Sequence, residues 1–185
     1  MPTFIALLRG VNVGKAKRVP MANLRGLLTG LGFEAVQTLL NSGNVVFQAA
    51  GTSALAHAKS ISRAISLSLG FEVPVVVKSR RDLAAIIGEN VLAATAPDHS
   101  RLLVAFAQDA QILAALKDMA ALVTPTEGFV VGRHAAYLHC ADGILQSKVG
   151  LALLGKAGQA ITTRNWATTL KLHSMVSKGD ADSIS

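Results

Sequence analysis

The sequence has a single cysteine, few aromatic residues and no long apolar run. The lone Cys140 excludes an internal disulfide and suits a reducing compartment. The longest uncharged stretch, 35–58, is broken by polar residues, so no run of about 18 apolar residues is present to span a bilayer. The apolar run Phe4–Leu8 has no basic residue before it and no small-residue cleavage site after it, which predicts no secretory signal. These absences favour a soluble, cytoplasmic protein without a membrane partner.

Acidic residues are absent from 1–33 and from 143–179, which leaves the basic residues there unopposed. Each of these segments carries five Lys or Arg, whereas the middle of the chain, 34–142, carries eight basic and nine acidic residues. The whole chain has a formal net charge of +7. Such asymmetry is typical of proteins with an anionic partner, although charge alone does not identify that partner.

The order of predicted elements over the first 78 residues is β-α-β-β-α-β. The predicted strands are Thr3–Leu8, Glu34–Leu40, Asn44–Gln48 and Val73–Val77. The predicted helices are Met21–Leu31 and a second one with apolar residues at Ala58, Ile61, Ile65 and Leu69. Pro74 would remove a hydrogen-bond donor from a central strand, so we expect the fourth strand at a sheet edge. This order is that of a ferredoxin-like split βαβ unit.

Much of this pattern returns after Arg101, which predicts a second, partial ferredoxin-like half. Its predicted elements are a strand at Leu102–Ala107, a helix at Asp109–Leu122 capped by Asp109, and a hairpin of Glu127–Val131 with Ala135–Cys140. Two C-terminal helices, around Gln146–Lys156 and Thr163–Val176, complete the prediction. The fold class is therefore α/β (α+β), since helices and strands share both halves. We expect an N-terminal domain over 1–78, a helical connector over 79–100 and the second half over 101–185.

The loop after the first strand carries four cationic side chains and two glycines. It is similar to the phosphate-binding loop of nucleotide triphosphatases, but its glycine spacing is one residue short. Ala16 also stands where a hydroxyl must reach magnesium. A looser interpretation is a glycine-hinged nest for a phosphate or nucleic-acid backbone, and the alternative is a solvated basic turn. The candidate binding residues are Arg9, Asn12, Lys15, Lys17 and Arg18.

Two further polar clusters are candidate ligand-binding sites. Asn41, Ser42 and Asn44 form a polar loop that equally suits an ordinary hairpin turn, with Gly43 in a left-handed conformation. We place this hairpin and the basic loop at opposite ends of neighbouring strands. A third cluster offers the groups that bind a nucleotide: the forked guanidinium donor of Arg164, the amide of Asn165 and the stacking surface of Trp166. The alternative is that Thr162 or Thr163 caps the last helix and Trp166 lies in the core.

Four blocks of the sequence carry a family resemblance. They are 4–14 (FIALLRGVNVG), 19–21 (VPM), 41–47 (NSGNVVF) and 162–166 (TTRNW). With these blocks the chain resembles, from end to end, the bacterial family called domain of unknown function 1697. The resemblance implies an α/β fold built on ferredoxin-like units and assigns no activity. The chain departs from the family at Lys15, where a glycine is usual, at Asn41, where a glutamine is usual, and at Ala167, where an asparagine often follows the tryptophan.

Residues typical of catalytic or metal sites are scattered. A strand would send His139 and Cys140 to opposite faces, and we interpret Cys140 as a small buried apolar residue. Ser147-Lys148 is interpreted as a helix cap beside a solvated lysine rather than a catalytic pair. The remaining histidines lack partners at ligand spacing, so no metal or other cofactor is expected. Whether the protein is an enzyme stays open.

Two functional hypotheses remain. The first is a phosphate- or anion-binding protein that contacts nucleic acid through its basic loops, without the aromatic-rich sheet of an RNA-recognition motif. The alternative is a small enzyme or binding protein for a phosphorylated or nucleotide-like metabolite, held between the two halves by Arg9, Lys148 and Arg164. An open basic face favours the polymer and a walled pocket favours the metabolite. In a third interpretation the basic segments are covered by an acidic partner subunit.

Overall fold

The computed structural model describes residues 1–178 as two units, each with a four-stranded antiparallel sheet and packed helices. The first unit comprises 1–81 with the described residues from Leu172 on, and the second comprises 82–171. The predicted division at 78/79 and 100/101 stays a prediction. In chain order the strands and α-helices are β1 (Thr3–Leu8), α1 (Met21–Gly30), β2 (Glu34–Leu39), β3 (Asn44–Gln48), α2 (Ala54–Leu69), β4 (Val75–Ser79), α3 (Arg80–Glu89), β5 (Leu102–Ala107), α4 (Ala110–Ala114), β6 (Glu127–Val131), β7 (Ala136–Cys140), α5 (Lys148–Leu154), β8 (Ile161–Asn165) and α6 (Trp166–Lys178).

The first sheet has the strand order β2-β3-β1-β4, and all of its pairs are antiparallel. The predicted order β-α-β-β-α-β is therefore confirmed, as is the α+β class. The strand β4 lies at the edge, as Pro74 predicts, but it begins at Val75, two residues later than expected. Proline has no N–H to pair, and its carbonyl instead accepts a hydrogen bond from the Arg9 N–H at 2.9 Å.

The core of the first unit lies between this sheet and the helices α1 and α2. Every second residue of β1 from Phe4 to Leu8 faces this core, and apolar residues recur every three or four positions on the helices. The residues between them on β1, Ile5 and Leu7, are also buried, so β1 is buried on both faces, as its continuous apolar run predicts. The central buried residues are Phe4, Ala6, Leu8, Leu24, Leu28, Phe47, Ile61 and Ile65. Burying one large aliphatic or aromatic side chain stabilises the fold by about 1.5–3 kcal/mol, so this cluster is the main stabilising element of the unit.

A histidine is packed among aromatic rings in this core. The ring of His57, on α2, meets the rings of Phe4 and Phe33 edge-on at centroid distances of 4.8 and 5.3 Å. Its Nε2 atom is buried without a hydrogen-bond partner in the described part of the chain. Burial lowers the pKa of His57 below its ordinary value, and a backbone hydrogen bond with Gly51 offsets part of that shift. The fold therefore favours the neutral imidazole.

The second sheet has the order β6-β7-β5-β8, which repeats the strand order of the first. The prediction of a helix from Thr163 was wrong, because 161–165 form the strand β8 and the helix α6 starts at Trp166. Ile161, Thr162 and Thr163 are β-branched, and such residues fit a strand paired to β5 better than a helix. The second half therefore has a fourth strand that the sequence analysis missed.

Two other helices of the second unit are shorter than predicted. Asp109 caps the first as expected, with its Oδ1 accepting from the Ile112 N–H at 2.9 Å. The α-helix then ends at Ala114 and continues as 3₁₀ helix to Leu122. Likewise α5 covers only Lys148–Leu154, because Ser147 caps its start and Gly155 follows its end.

A partly buried carboxylate holds the β6–β7 hairpin to the helix α3. Glu89, the last residue of α3, accepts hydrogen bonds from the backbone N–H groups of Arg133 and His134 and from the Tyr137 hydroxyl. Burial raises the pKa of the Glu89 carboxyl, but these hydrogen bonds together lower it more, so the net shift is downward. Glu89 therefore holds the hairpin in its charged form.

Within 1–178, no helix combines the length and apolar content needed to cross a membrane.

We expect His57→Gln to flatten the dependence of stability on pH between about pH 7 and about pH 5. The pKa of His57 is lower in the native state than in the unfolded chain, so below about pH 6.5 the unfolded chain gains its proton first and the free energy of unfolding falls as pH falls. Glutamine has no proton to gain. Urea unfolding followed by circular dichroism at several pH values measures this slope. His134→Gln removes an exposed imidazole and serves as the control. An unchanged slope in His57→Gln would contradict the prediction.

Candidate functional site

The first unit carries the whole of the net charge. Its residues include eleven Lys or Arg and four Asp or Glu, a net charge of +7. The second unit has seven basic and seven acidic residues, a net charge of zero. The cations of 143–171 are therefore balanced by carboxylates of their own unit. The unopposed charge belongs to the first unit, which makes this unit the place to look for an anion-binding site.

The loop that joins β1 to α1 contains several residues in the left-handed backbone conformation. Four residues in this loop have positive φ angles: Gly10 (67°), Asn12 (56°), Gly14 (61°) and Lys17 (47°). Glycine adopts this conformation at little cost, whereas an ordinary side chain pays about 1 kcal/mol or more. The conformation at Asn12 and Lys17 must therefore be held by contacts elsewhere in the unit.

Asn12 provides those contacts. Its Oδ1 accepts from the Val19 N–H and its Nδ2 donates to the Val19 carbonyl, both at 2.9 Å. Its own N–H donates to the Lys17 carbonyl at 3.1 Å. The side chain thus acts as a strand partner for Val19 and closes the loop over 12–19. Its amide is engaged inside the protein, so Asn12 positions the loop.

The β2–β3 hairpin lies against this loop, and the prediction of opposite ends was wrong. Nδ2 of Asn12 also donates to the Asn41 carbonyl at 2.7 Å, and the Leu8 N–H donates to the Gly43 carbonyl at 2.9 Å. The reason is topological. Both β1 and β2 are antiparallel to β3, so they run parallel to each other and finish at the same end of the sheet. The β-α-β order of the sequence was sufficient to predict this.

The segment before β4 lies at the same end of the sheet as the basic loop and the β2–β3 hairpin. Since β4 is antiparallel to β1, it begins where β1 ends. The Lys17 ammonium donates to the Glu72 carbonyl at 3.1 Å, across 55 residues of sequence. We call the surface formed by 9–20, 40–43 and 72–74 the loop surface.

The loop surface presents cations to solvent. Lys15, Lys17 and Arg18 are exposed, whereas Arg9 is half-buried and burial lowers its pKa. Val13 and Leu40 are also exposed on this surface, with 73% and 58% of their area accessible. Glu72 is its one carboxylate. The arrangement can hold an anionic group through point charges, and its side chains include no nucleophile with an adjacent base.

The polar residues of the hairpin mainly build the turn. Asn44 is fully buried, and its Nδ2 donates to the Leu39 carbonyl and to the Ser42 hydroxyl, both at 2.9 Å. Gly43 has the predicted left-handed conformation, with φ of 82°. A Cβ atom there would lie 2.6 Å from the Leu8 Cβ. Gly43 therefore allows the hairpin to approach the end of β1, and Asn41 contributes its carbonyl to Asn12.

The other candidate binding residues lie in the second unit. Arg164 is on β8 and donates to the Thr162 hydroxyl and the Thr163 carbonyl, both at 2.8 Å. Burial lowers its pKa. The cap of α6 is Asn165 and not Thr162 or Thr163, since its Oδ1 accepts from the Thr168 N–H at 2.9 Å. Trp166 is 5% exposed, so it presents no open stacking plane. A ligand role for these residues and for the exposed Lys148 stays a prediction.

Cys140 and Ser147, which were considered for catalysis, contribute to the packing and hydrogen bonding of the fold. Cys140 is buried, its thiol donates to the Arg101 carbonyl at 3.4 Å, and burial raises its pKa. The interpretation of Cys140 as a buried apolar residue is confirmed. Ser147 caps α5, as predicted, through a 3.0 Å bond from the Gly150 N–H. Among residues 1–178, no three His, Cys, Asp or Glu side chains are grouped to hold a metal ion.

Comparison with known families identifies the chain's relatives. The model of the family described as "Protein of unknown function (DUF1697)" matches residues 1–137, about three quarters of the chain. The chain belongs to this family. The match contains the whole loop surface and ends before β8. Membership of the DUF1697 family assigns no activity, so the site has to be interpreted from its own chemistry.

The fold of this DUF1697 member also has a solved relative. The structure of the conserved bacterial protein SP0830 from Streptococcus pneumoniae superposes with a TM-score of 0.78 at 24% sequence identity. The alignment covers 95% of this chain and 98% of that one. At this identity the likeness shows a shared fold alone. No curated protein matches the chain.

We expect Asn12→Ala to lower the free energy of unfolding by about 2 kcal/mol, since three side-chain hydrogen bonds of about 1 kcal/mol each are lost and partly replaced by water. Asn41→Ala is the matched control, because Asn41 serves through its backbone carbonyl. It should change stability by about 0.5 kcal/mol or less. Urea unfolding measures both, and hydrogen exchange at the Val19 amide reports the loop directly. Equal effects of the two variants would contradict the role of Asn12.

Gly43→Ala tests the contact between the hairpin and β1. Gly32 has the same φ of 82° with open space around it, so Gly32→Ala should cost only the left-handed conformation, about 1 kcal/mol. Gly43→Ala adds a close approach to Leu8 and Val11, and we expect a total of about 3 kcal/mol. Urea midpoints of the two variants give the difference. If the two losses are equal, the hairpin does not depend on that close approach.

Proposed function

We propose that this protein binds a phosphate-bearing polyanion, nucleic acid in the first instance, through the loop surface of its first unit. The observation that carries the proposal is the net charge of +7 on that unit, with Lys15, Lys17 and Arg18 exposed on one loop. Lysine and arginine side chains that neutralise phosphates supply most of the affinity of sequence-independent nucleic-acid binding. The loop surface offers three such cations beside one carboxylate.

The form of the surface favours a polymer over a small metabolite. A metabolite site is a concave pocket that buries most of its ligand. The three cations are instead exposed, and they stand beside the exposed aliphatic side chains of Val13 and Leu40. The sheet itself does not offer a stacking platform, because Phe4 and Phe47 are buried. We therefore propose contacts to the phosphate backbone, with weak preference for base sequence.

We expect the variant Lys15→Ala/Lys17→Ala/Arg18→Ala to bind a labelled single-stranded RNA at least about tenfold more weakly at about 50 mM NaCl. The plot of log affinity against log salt should become less steep by about 2, since each single-strand phosphate contact contributes about 0.7 to the slope. Fluorescence anisotropy at about 50 and about 200 mM NaCl measures both quantities.

The matched control is Lys117→Ala/Lys156→Ala/Lys171→Ala, which removes the same charge from exposed lysines of the neutral second unit. It should bind nearly as well as the native protein. Thermal unfolding checks that both variants fold, and exposed charges contribute little to stability. An unchanged salt slope in the loop variant would exclude the loop surface. Binding of a mononucleotide as tight as that of the RNA would favour the metabolite alternative.

A further inference from the structure

A groove runs along the outer face of α2. It has a volume of about 370 Å³ and is lined by Lys59, Ser62, Arg63, Ser66, Leu67 and Glu72. We propose that this groove is a second phosphate-contact site, so that one nucleic-acid strand is bound by the loop surface and continues along α2. The inference rests on the proposed function and extends its footprint to residues that the sequence analysis did not consider.

The groove is connected to the loop surface through two hydrogen bonds. Lys17, on the loop, donates to the carbonyl of Glu72, which also lines the groove. The next carbonyl along the chain, that of Val73, accepts from the Ser62 hydroxyl of α2 at 2.9 Å. The backbone of 72–73 therefore contacts Lys17 of the loop surface and Ser62 of the groove, so the two surfaces are neighbours.

The two cations of α2 are close enough to contact the same anionic group. Lys59 and Arg63 are four residues apart and lie next to each other on the helix surface, where like charges repel by about 0.2–0.5 kcal/mol. The helix contains no acidic residue, although solvated helix faces usually mix both signs. Within 1–178 neither cation forms an ion pair. A phosphate between the two would remove their repulsion.

The remaining lining residues suit a sugar–phosphate chain. Ser66 contributes a hydroxyl group to the lining, and serine hydroxyls commonly contact phosphate oxygens, whereas the Ser62 hydroxyl is engaged with the Val73 carbonyl. Leu67 is 78% exposed and offers an apolar surface at the same groove. Glu72 is the one carboxylate in the lining. It leaves a cationic excess even before Lys17 is counted.

We expect Lys59→Ala/Arg63→Ala to bind a single-stranded RNA of about 12 nucleotides about fivefold more weakly at about 50 mM NaCl, with a salt slope less steep by about 1.4. The charge reversal Lys59→Glu/Arg63→Glu should weaken binding further. Lys117→Ala/Lys156→Ala, from the neutral second unit, is the matched control. Since both α2 cations are exposed and repel each other, thermal unfolding should show no loss of stability.

The outcomes separate the two proposals. If the native protein binds no RNA at low salt, both proposals are overturned. If the native protein binds and the loop variant loses affinity, but both α2 variants keep the native salt slope, the groove is excluded and the proposed function stands. If the loop and α2 variants each lower the slope in proportion to the charges removed, the two sites form one footprint.

Discussion

The position of β1 between two antiparallel partners is the constraint on which the first unit depends. Because β3 and β4 both pair with β1, the hairpin before β3 and the segment before β4 meet where β1 ends. Each brings a backbone carbonyl to the basic loop, Asn41 to the Asn12 amide and Glu72 to the Lys17 ammonium. These bonds offset the cost of holding Asn12 and Lys17 left-handed. The loop is therefore a product of sheet topology, and its cations stand where the topology puts them.

The charge of this protein has to be counted by structural unit to be understood. Along the sequence, 34–142 is nearly neutral, because acidic residues of the same segment balance Lys59 and Arg63 in the count. In the fold, most of those carboxylates belong to the second unit, whereas α2 belongs to the first. Charges interact through space and not along the chain, so the relevant sum is the one over the unit. Counted in this way, the basic segment 143–171 is balanced and the first unit is not.

Local patterns predicted local structure well. The left-handed Gly43, the cap at Asp109 and the edge strand after Pro74 each depend on one or a few neighbouring residues, and all three are confirmed. The strand β8 was missed because a threonine pair before a helical pattern suits a helix cap as well as a strand, and only pairing to β5 decides. The carboxylate of Glu89 meets the hairpin 44 residues later, a contact that no local pattern reports. The contact between the basic loop and the β2–β3 hairpin was also missed, although the order of the elements was sufficient to predict it.

The same cations act on folding and on binding in opposite directions. A unit with a net charge of +7 repels itself, and this repulsion destabilises the compact state unless the core outweighs it. The buried cluster around Phe4, Phe47 and Ile61 supplies that stability without drawing on the surface charges. Lys17 also helps to hold the loop through its bond to the Glu72 carbonyl, so its role in the fold is not confined to its charge. On the proposed function, a phosphate-bearing ligand supplies the negative charge that this unit lacks and relieves the repulsion.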